Sequence, residues 1–352
     1  MACSSLEISP SPPPLLTSTF RGYFLHLFLL LSPFLVGRLF SEDFYFVVSV
    51  YESSFLGKLS ELAGLEIGLV LPGSLVADAP DLRLKTVRVG QVGRLAAVFR
   101  VREILLYPDS SYGAQRDDLV LIKKILDYLE TPQYLRRRLH PSSPLLRYAG
   151  VLPPLATPHH PLKSRKKELR DGEFREGVVV KSDSRGCLVD IGVERPLRLK
   201  GVGLPVNTRV SVRVVVKGGE LFLERVNPSE IGEYWGYTVR ISKASLGSTL
   251  RRLRGALIVL TSRYGDPFRS VKEQILKKWR HTGKLFLVFG GPYEGLAEIL
   301  GREKIDPREA GDFLVNFVPN QATRTVRTEE AISAALAILN ICRENGSEQR
   351  AP

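Results

Sequence analysis

The chain has 352 residues, 44% of them hydrophobic, and a formal net charge of +13. That composition excludes a disordered or fibrous protein, leaves room for two domains, and favours a polyanionic partner, either nucleic acid or an anionic membrane surface. Cys3, Cys187 and Cys342 are too few and too scattered for a disulfide framework, and no CxxC or HxxxH spacing offers a metal cage, so the expectation is an intracellular, cytoplasmic protein that binds no metal.

Residues 1–60 open with the turn-rich "SPSPPPLLTSTF" and the apolar run "FLHLFLLLSPFLV", which His26, Ser32 and Pro33 interrupt. The run is shorter than the roughly 20 residues of a membrane helix and lacks the basic start and cleavage site of a secretory signal. The segment is therefore read as an extension without function, in preference to an anchor, and no membrane partner is expected.

From Leu65 short apolar runs alternate with amphipathic stretches, the pattern of an α/β domain. "EIGLVL" reads as a buried strand, followed by a turn at Pro72 and Gly73. Leu84, Val87, Val92, Leu95 and Phe99 then recur at helical spacing, "EILLY" is the next strand, and Leu119, Ile122, Ile125, Leu126 and Leu129 mark a second helix. Thr131 and Pro132 fit the cap and first position of a third helix, "PQYLRRRLH". The adjacent His159 and His160 lie among prolines and fit a loop better than a zinc site.

Prolines, glycines and "KSRKKELRDGE" then break the rhythm and mark a boundary. Within residues 166–227, "EGVVVK", "GCLVDI", "RVSVRVVVK" and "ELFLER" are four strand candidates, with strict alternation at Val210, Val212, Val214 and Val216 and a hairpin signal at Gly218-Gly219. This predicts a small all-β module, most simply an OB-like barrel, whose basic flank favours nucleic-acid contact. After Pro228 the α/β rhythm returns with "YWGYTVRI", "ALIVLT", a helix opened by Asp266 and Pro267 in which Phe268, Val271, Ile275 and Trp279 share one face, "LFLVFG" and "DFLVNF". The barrel is thus inserted into one discontinuous α/β domain, residues 61–165 and 228–345.

Three of the later strands end in loops of unusual composition: "TSRYGDP", "GGPYEG" and "VPNQATRTVRT". Ligands of α/β sheets gather at the carboxyl ends of strands, and Gly290, Gly291 and Gly295 would let a ligand approach the backbone closely. Sharp turns explain the same glycines equally well. In the last stretch Thr328 has the form of an N-cap before acidic Glu329 and Glu330, and Ile332, Ala335, Leu336 and Leu339 supply a helix face. Arg324 and Arg327 precede it, either at a site or paired with those two glutamates.

"LVLPGSLV", "ETPQYLRR", "LATPHH", "EFREGVVV", "EYWGYTVR", "VFGGPYEGL" and "ATRTVRTEEAI", in order over about residues 66–342, resemble the DUF171 group of the SPOUT RNA methyltransferases. The resemblance implies an α/β SPOUT-type domain with a C-terminal trefoil knot, an exception to the rule against knotted chains. It also implies an inserted OB-like barrel, a homodimer, S-adenosyl-L-methionine as cofactor, and RNA, ribosomal or otherwise structured, as substrate. Carried onto this sequence, Thr261, Gly290, Gly291, Gly295, Asn316, Pro319, Gln321 and Thr325 become cofactor-contact candidates. Asn320 and Ala322 stand where relatives commonly have glycine.

Methyl transfer from a sulfonium is an in-line displacement that needs alignment more than an acid-base dyad. Arg324 and Arg240 are the arginines expected near the acceptor, and Glu330 the carboxylate that could take its proton. Arg136, Arg137, Arg138, Arg251, Arg252, Arg254 and Arg327 are the expected RNA contacts, whereas Tyr234, Trp235 and Tyr237 fit packing better than base stacking. The competing function is a non-catalytic homodimeric RNA-binding protein using the knot as scaffold, and cofactor binding tells the two apart.

Overall fold

In the computed structural model, residues 65–109, 115–184, 186–201 and 203–345 are described. The apolar run of the N-terminal extension lies outside them. Among the described residues no helix is long and apolar enough to cross a membrane.

The first strand, β1 (Glu66–Pro72), leads into α1 (Leu82–Val98), β2 (Glu103–Tyr107), α2 (Gln115–Glu130) and the short α3 (Gln133–Leu139). Five strands, β3 (Phe174–Asp183), β4 (Gly186–Asp190), β5 (Leu197–Leu199), β6 (Arg209–Lys217) and β7 (Glu220–Arg225), follow before the α/β pattern resumes. It continues through β8 (Thr238–Ile241), α4 (Leu246–Arg252), β9 (Leu257–Pro267), α5 (Phe268–Thr282) and β10 (Lys284–Val288). The chain closes with α6 (Leu296–Arg302), α7 (Pro307–Ala310), β11 (Phe313–Asn316) and α8 (Thr328–Asn345).

Six strands form one parallel sheet in the order β11-β9-β10-β1-β2-β8. Successive side chains of a strand point to opposite faces, and both faces of the central strands are covered, so β1, β10 and residues 257–260 of β9 are near-continuous apolar runs, whereas the edge strand β8 exposes Thr238 and Arg240. Ile67, Leu69, Leu71, Leu285 and Leu287 pack with α1, α2, α5 and α8 on one side. Val70, Ile258, Leu260, Phe286 and Val288 pack with α4 and α6 on the other.

Helix α1 carries a correction. Leu84, expected on its apolar face, is 48% exposed, and the buried stripe runs instead through Thr86, Val89, Gly90, Val92, Gly93, Ala96 and Ala97. Small residues are needed because neighbours come close: a Cβ on Gly93 would lie 2.6 Å from Leu129 Cδ2 and 2.9 Å from Tyr237 Oη. The helix caps also differ from expectation. Pro132 is the N-cap of α3, and Thr131 instead donates to the Asp127 carbonyl at 2.7 Å. Arg327 occupies the cap of α8: its carbonyl accepts from Ala331 N (2.9 Å), and its own N–H donates to Glu330 Oε2 (2.9 Å).

Strands β3 to β7 close into a barrel of order β3-β4-β5-β7-β6 with its own core, including Val189, Val212 and Leu223, an arrangement compatible with the OB type. The strand β5, three residues long, was not legible as a strand; it pairs antiparallel with β4 and parallel with β7. The Gly218-Gly219 turn has φ of +60° and +78°, the pair of positive values that a two-residue hairpin turn with right-handed twist requires.

The barrel meets the α/β part at the C-terminus of α2, where helix carbonyls lack intrahelical partners. His159 and His160 both place Nε2 on the Glu130 carbonyl, at 3.1 and 2.6 Å, and Arg136 donates to the carbonyls of Leu129 (3.0 Å) and Thr131 (2.8 Å). The buried Glu130 side chain receives two hydrogen bonds from Arg209 of β6, at 2.6 and 3.0 Å, and Arg209 Nε donates to Glu176 of β3 at 2.6 Å. Ser211 and the Trp235 indole N–H donate to the same Glu176 carboxylate. Burial works to raise the Glu130 pKa, but the Arg209 guanidinium and His159 outweigh it and hold it down at about 2. Tyr234, Trp235 and Tyr237 are buried here, as packing required.

Candidate active site

Because every sheet strand runs the same way, all the strand ends lie on one side, and β10, β9 and β11 are neighbours there. Strand β11 pairs with β9 through Leu314↔Leu260 and then Val315↔Asp266, so residues 261–265 leave the ladder as a wide bulge within β9, the first loop of the site. Gly265 is required at its base, since a Cβ there would lie 2.6 Å from Val315 N and 2.7 Å from the Leu314 carbonyl. The second loop, 290–295, is closed by Gly291 N donating to the Glu294 carbonyl at 2.9 Å. Its neck is tight: a Cβ on Gly290 would lie 2.9 Å from Gly295 Cα.

Behind this loop, Ser74 donates to the buried Asp109, whose pKa burial raises, although the Ser74 hydrogen bond opposes the rise. A side chain at Gly291 would strike Ser74 Oγ. The third loop, between β11 and α8, touches both others: Arg263 Nη1 donates to the Arg324 carbonyl (2.9 Å) and Thr328 Oγ1 to the Gly290 carbonyl (3.2 Å). Asn320 takes φ +61°, a left-handed conformation that asparagine tolerates better than most residues, and so does the work of a glycine.

The three loops enclose a cavity of about 270 Å³. Thr261, Gly290, Gly291, Gly295, Asn316, Gln321 and Thr325 line it, whereas Pro319 does not. Its apolar wall includes Leu296, Phe317, Val318 and Val326, and its charged side chains are Arg263 and Glu298. A wider depression of about 500 Å³ adjoins it and shares Arg263, Tyr264, Asn316, Val318 and Gln321 with it; Arg324 lines only this outer space. Sequence reasoning missed Arg263, Tyr264 and Glu298, although the first two stand in the quoted "TSRYGDP" loop. Among the described residues no group of three or more His, Cys, Asp or Glu could hold a metal ion.

Two expected catalytic residues are placed elsewhere. Arg240 lies on β8, the opposite edge of the sheet, 70% exposed and 3.5 Å from Glu103. Glu330 caps α8 and lines neither space; Glu298 is the carboxylate in the cavity wall. Glu329 pairs with Arg88 of α1 at 3.5 Å, and neither Arg324 nor Arg327 forms an ion pair among the described residues.

Of the basic residues expected at RNA, Arg136 is committed to the α2 carbonyls and lies 4.7 Å from the Tyr128 ring centre, and Arg138 faces Asp190 at 3.4 Å. Arg137, Arg251, Arg252, Arg254 and Arg327 are exposed, Arg251 also donating to Ser248 Oγ at 2.8 Å.

The frame is thus a parallel sheet whose strand-end loops surround an amphipathic cavity, joined to a closed five-stranded barrel compatible with the OB type. Residues 66–339 match the family described as "Putative RNA methyltransferase", and the chain belongs to that family of RNA methyltransferases. The chain is 32% identical over 302 residues to the 28S rRNA (uridine-N(3))-methyltransferase of Mus musculus, covering 78% of this chain and 75% of the relative. The human protein of the same name is 31% identical over 299 residues, with 78% and 77% covered. An uncharacterised protein of Haloarcula marismortui is 31% identical over 286 residues, covering 78% of this chain and 98% of its own length.

Proposed function

We propose that this methyltransferase uses S-adenosyl-L-methionine to methylate ring nitrogen 3 of a uridine in ribosomal RNA. The observation that carries the reading is the cavity between the three strand-end loops, supported by the similarity to the 28S rRNA (uridine-N(3))-methyltransferases of mouse and human. The donor set fits the cofactor: glycines that would let it approach backbone, an apolar wall that would suit a purine, and in Glu298 a carboxylate that would complement a positively charged ligand.

When bound, the cofactor supplies an electrophilic methyl group on a sulfonium. Thr261, Asn316, Gln321 and Thr325 would orient it, and Leu296, Phe317, Val318 and Val326 would keep water from its aromatic part. The acceptor imide loses its N–H proton to water through the open outer space. The chemistry the cofactor would supply is a methyl group for that nitrogen, the electron pair of the broken C–S bond remaining on sulfur as a neutral thioether.

The fold reading includes a trefoil knot. Support comes from the segment after β11, which contacts the first loop through Arg324 and the second through Thr328 before α8 packs on α1, as a chain passed between those loops would. A homodimer is part of the same reading and rests on the family resemblance; sedimentation equilibrium tests it. Methyl transfer from labelled cofactor to total RNA, followed by nucleoside analysis, tests the activity. 3-Methyluridine in the large ribosomal RNA is the expected product, and a folded protein that neither binds cofactor nor labels RNA overturns the reading.

A further inference from the structure

Transfer in line requires acceptor and methyl to be within about 3–3.5 Å of each other. If the cofactor fills the inner cavity, the acceptor must come from the space that shares a wall with it, and that wall contains one guanidinium, Arg263. Arg324 lines the outer space alone.

Arg263 is also held in place. Its Nη1 donates to the Arg324 carbonyl at 2.9 Å, its Nη2 to Tyr264 Oη, and its guanidinium carbon lies 4.6 Å from the Tyr264 ring centre. Asn316 Nδ2 donates to the Arg263 carbonyl at 3.0 Å, which ties the backbone of the first loop to β11. A guanidinium has five N–H donors, and the structure accounts for two of them here. Beyond the bond that ties the first loop to the third, the fork is fixed, solvent-exposed and at the junction of the two spaces, with donors to spare.

From this we infer that the outer space is the acceptor-nucleobase site, that it takes the uracil ring of an RNA, and that Arg263 donates to a carbonyl oxygen flanking the imide nitrogen. The inference rests on the function proposed above and deepens it. Once the imide proton has passed to water, negative charge spreads from nitrogen onto the two flanking oxygens. A guanidinium hydrogen-bonded to one of them stabilises that anion, and with it the transition state that leads from it. Arg263 keeps its own protons throughout. Tyr264 is the positioning residue that holds the fork.

The test is single-turnover methylation of a uridine-containing ribosomal RNA fragment at saturating cofactor, as a function of pH, with cofactor affinity measured separately by calorimetry. Arg263→Ala is expected to lower the rate at neutral pH by about 100-fold or more, the usual loss of an oxyanion donor. Its pH profile should move to higher pH, because the imide must then ionise unaided, and cofactor affinity should stay within about threefold. Arg263→Lys should recover part of the rate, since an ammonium keeps the charge and loses the planar fork. Tyr264→Phe should give a smaller loss in the same direction.

Three results overturn the inference while leaving the methyltransferase reading intact. These are a wild-type rate in Arg263→Ala, a reduced rate with an unmoved pH profile, and a rate loss matched by an equal loss of cofactor binding, which would make Arg263 a builder of the first loop only. Failure of the wild-type protein to methylate uridine would remove both readings together.

Discussion

Replacing Gly290 by alanine probes the neck of the second loop. Gly290 has no positive φ to relax, so the consequence is steric. The added Cβ would sit 2.9 Å from Gly295 Cα and 3.0 Å from the Gly295 carbonyl carbon and Leu296 N, all backbone atoms that no rotamer change can move. Carbon atoms in contact rest about 3.5–4.0 Å apart, so the neck must widen by about half an ångström or more. Overpacking of this kind costs about 1–3 kcal/mol of stability. The same widening displaces Gly291 and Gly295 in the cavity wall, and a hundredfold loss of cofactor affinity is the expected result.

In a thermal melt, cofactor at 100 times its dissociation constant stabilises wild type by about 2.7 kcal/mol, and after a hundredfold loss the same concentration contributes about 0.4 kcal/mol. At about 2–4 °C per kcal/mol, a shift of some 5–11 °C should fall to about 1–2 °C. Gly301→Ala is the control, because a Cβ there meets nothing within 4 Å and should leave the shift whole. A full shift in Gly290→Ala would refute the assignment of this loop to the cofactor.

Glu130→Gln removes the charge that Arg209 pairs with and should cost about 3 kcal/mol at neutral pH, measured by denaturant unfolding. Its pKa is depressed in the folded state, so wild type should hold this contribution above the ordinary value of 4.5 and lose it as pH falls toward about 2, a slope that Glu130→Gln should lack. Thr328→Val takes the donor from the Gly290 carbonyl and should cost about 1 kcal/mol, with cofactor binding weakened less than by Gly290→Ala in the same melt. Arg324→Ala and Arg327→Ala should each change stability by less than about 0.5 kcal/mol, since both side chains are exposed. At saturating cofactor, Arg324→Ala should depress the single-turnover rate on RNA, and Arg327→Ala should mainly raise KM for RNA.

Local sequence determined the elements of this protein because local physics forms them. Continuous apolar runs gave the parallel strands, strict alternation and Gly218-Gly219 gave the β6–β7 hairpin, and 3.6-residue spacing gave α2, α5 and α8 with their buried faces. The three strand-end loops could be flagged from composition alone, and the family resemblance added which of their residues line a common cavity, Pro319 excepted.

Contacts between distant segments decided the rest. Arg240 and Arg263 are equally plausible in a sequence, but the order β11-β9-β10-β1-β2-β8 sends the first to the far edge and keeps the second at the cavity. Glu330, expected near the acceptor, accepts instead from the backbone N–H of its own helix cap, Arg327, and the carboxylate in the cavity wall is that of Glu298, which sequence reasoning had not singled out. The buried face of α1 is made of small residues, a choice that only the close approach of Leu129, Leu152 and Tyr237 explains. His159 and His160 finish the end of a helix some thirty residues earlier in the chain. In each case the deciding energy belongs to a pair of groups far apart in sequence, and a periodicity or a spacing carries no record of which partner the fold will supply.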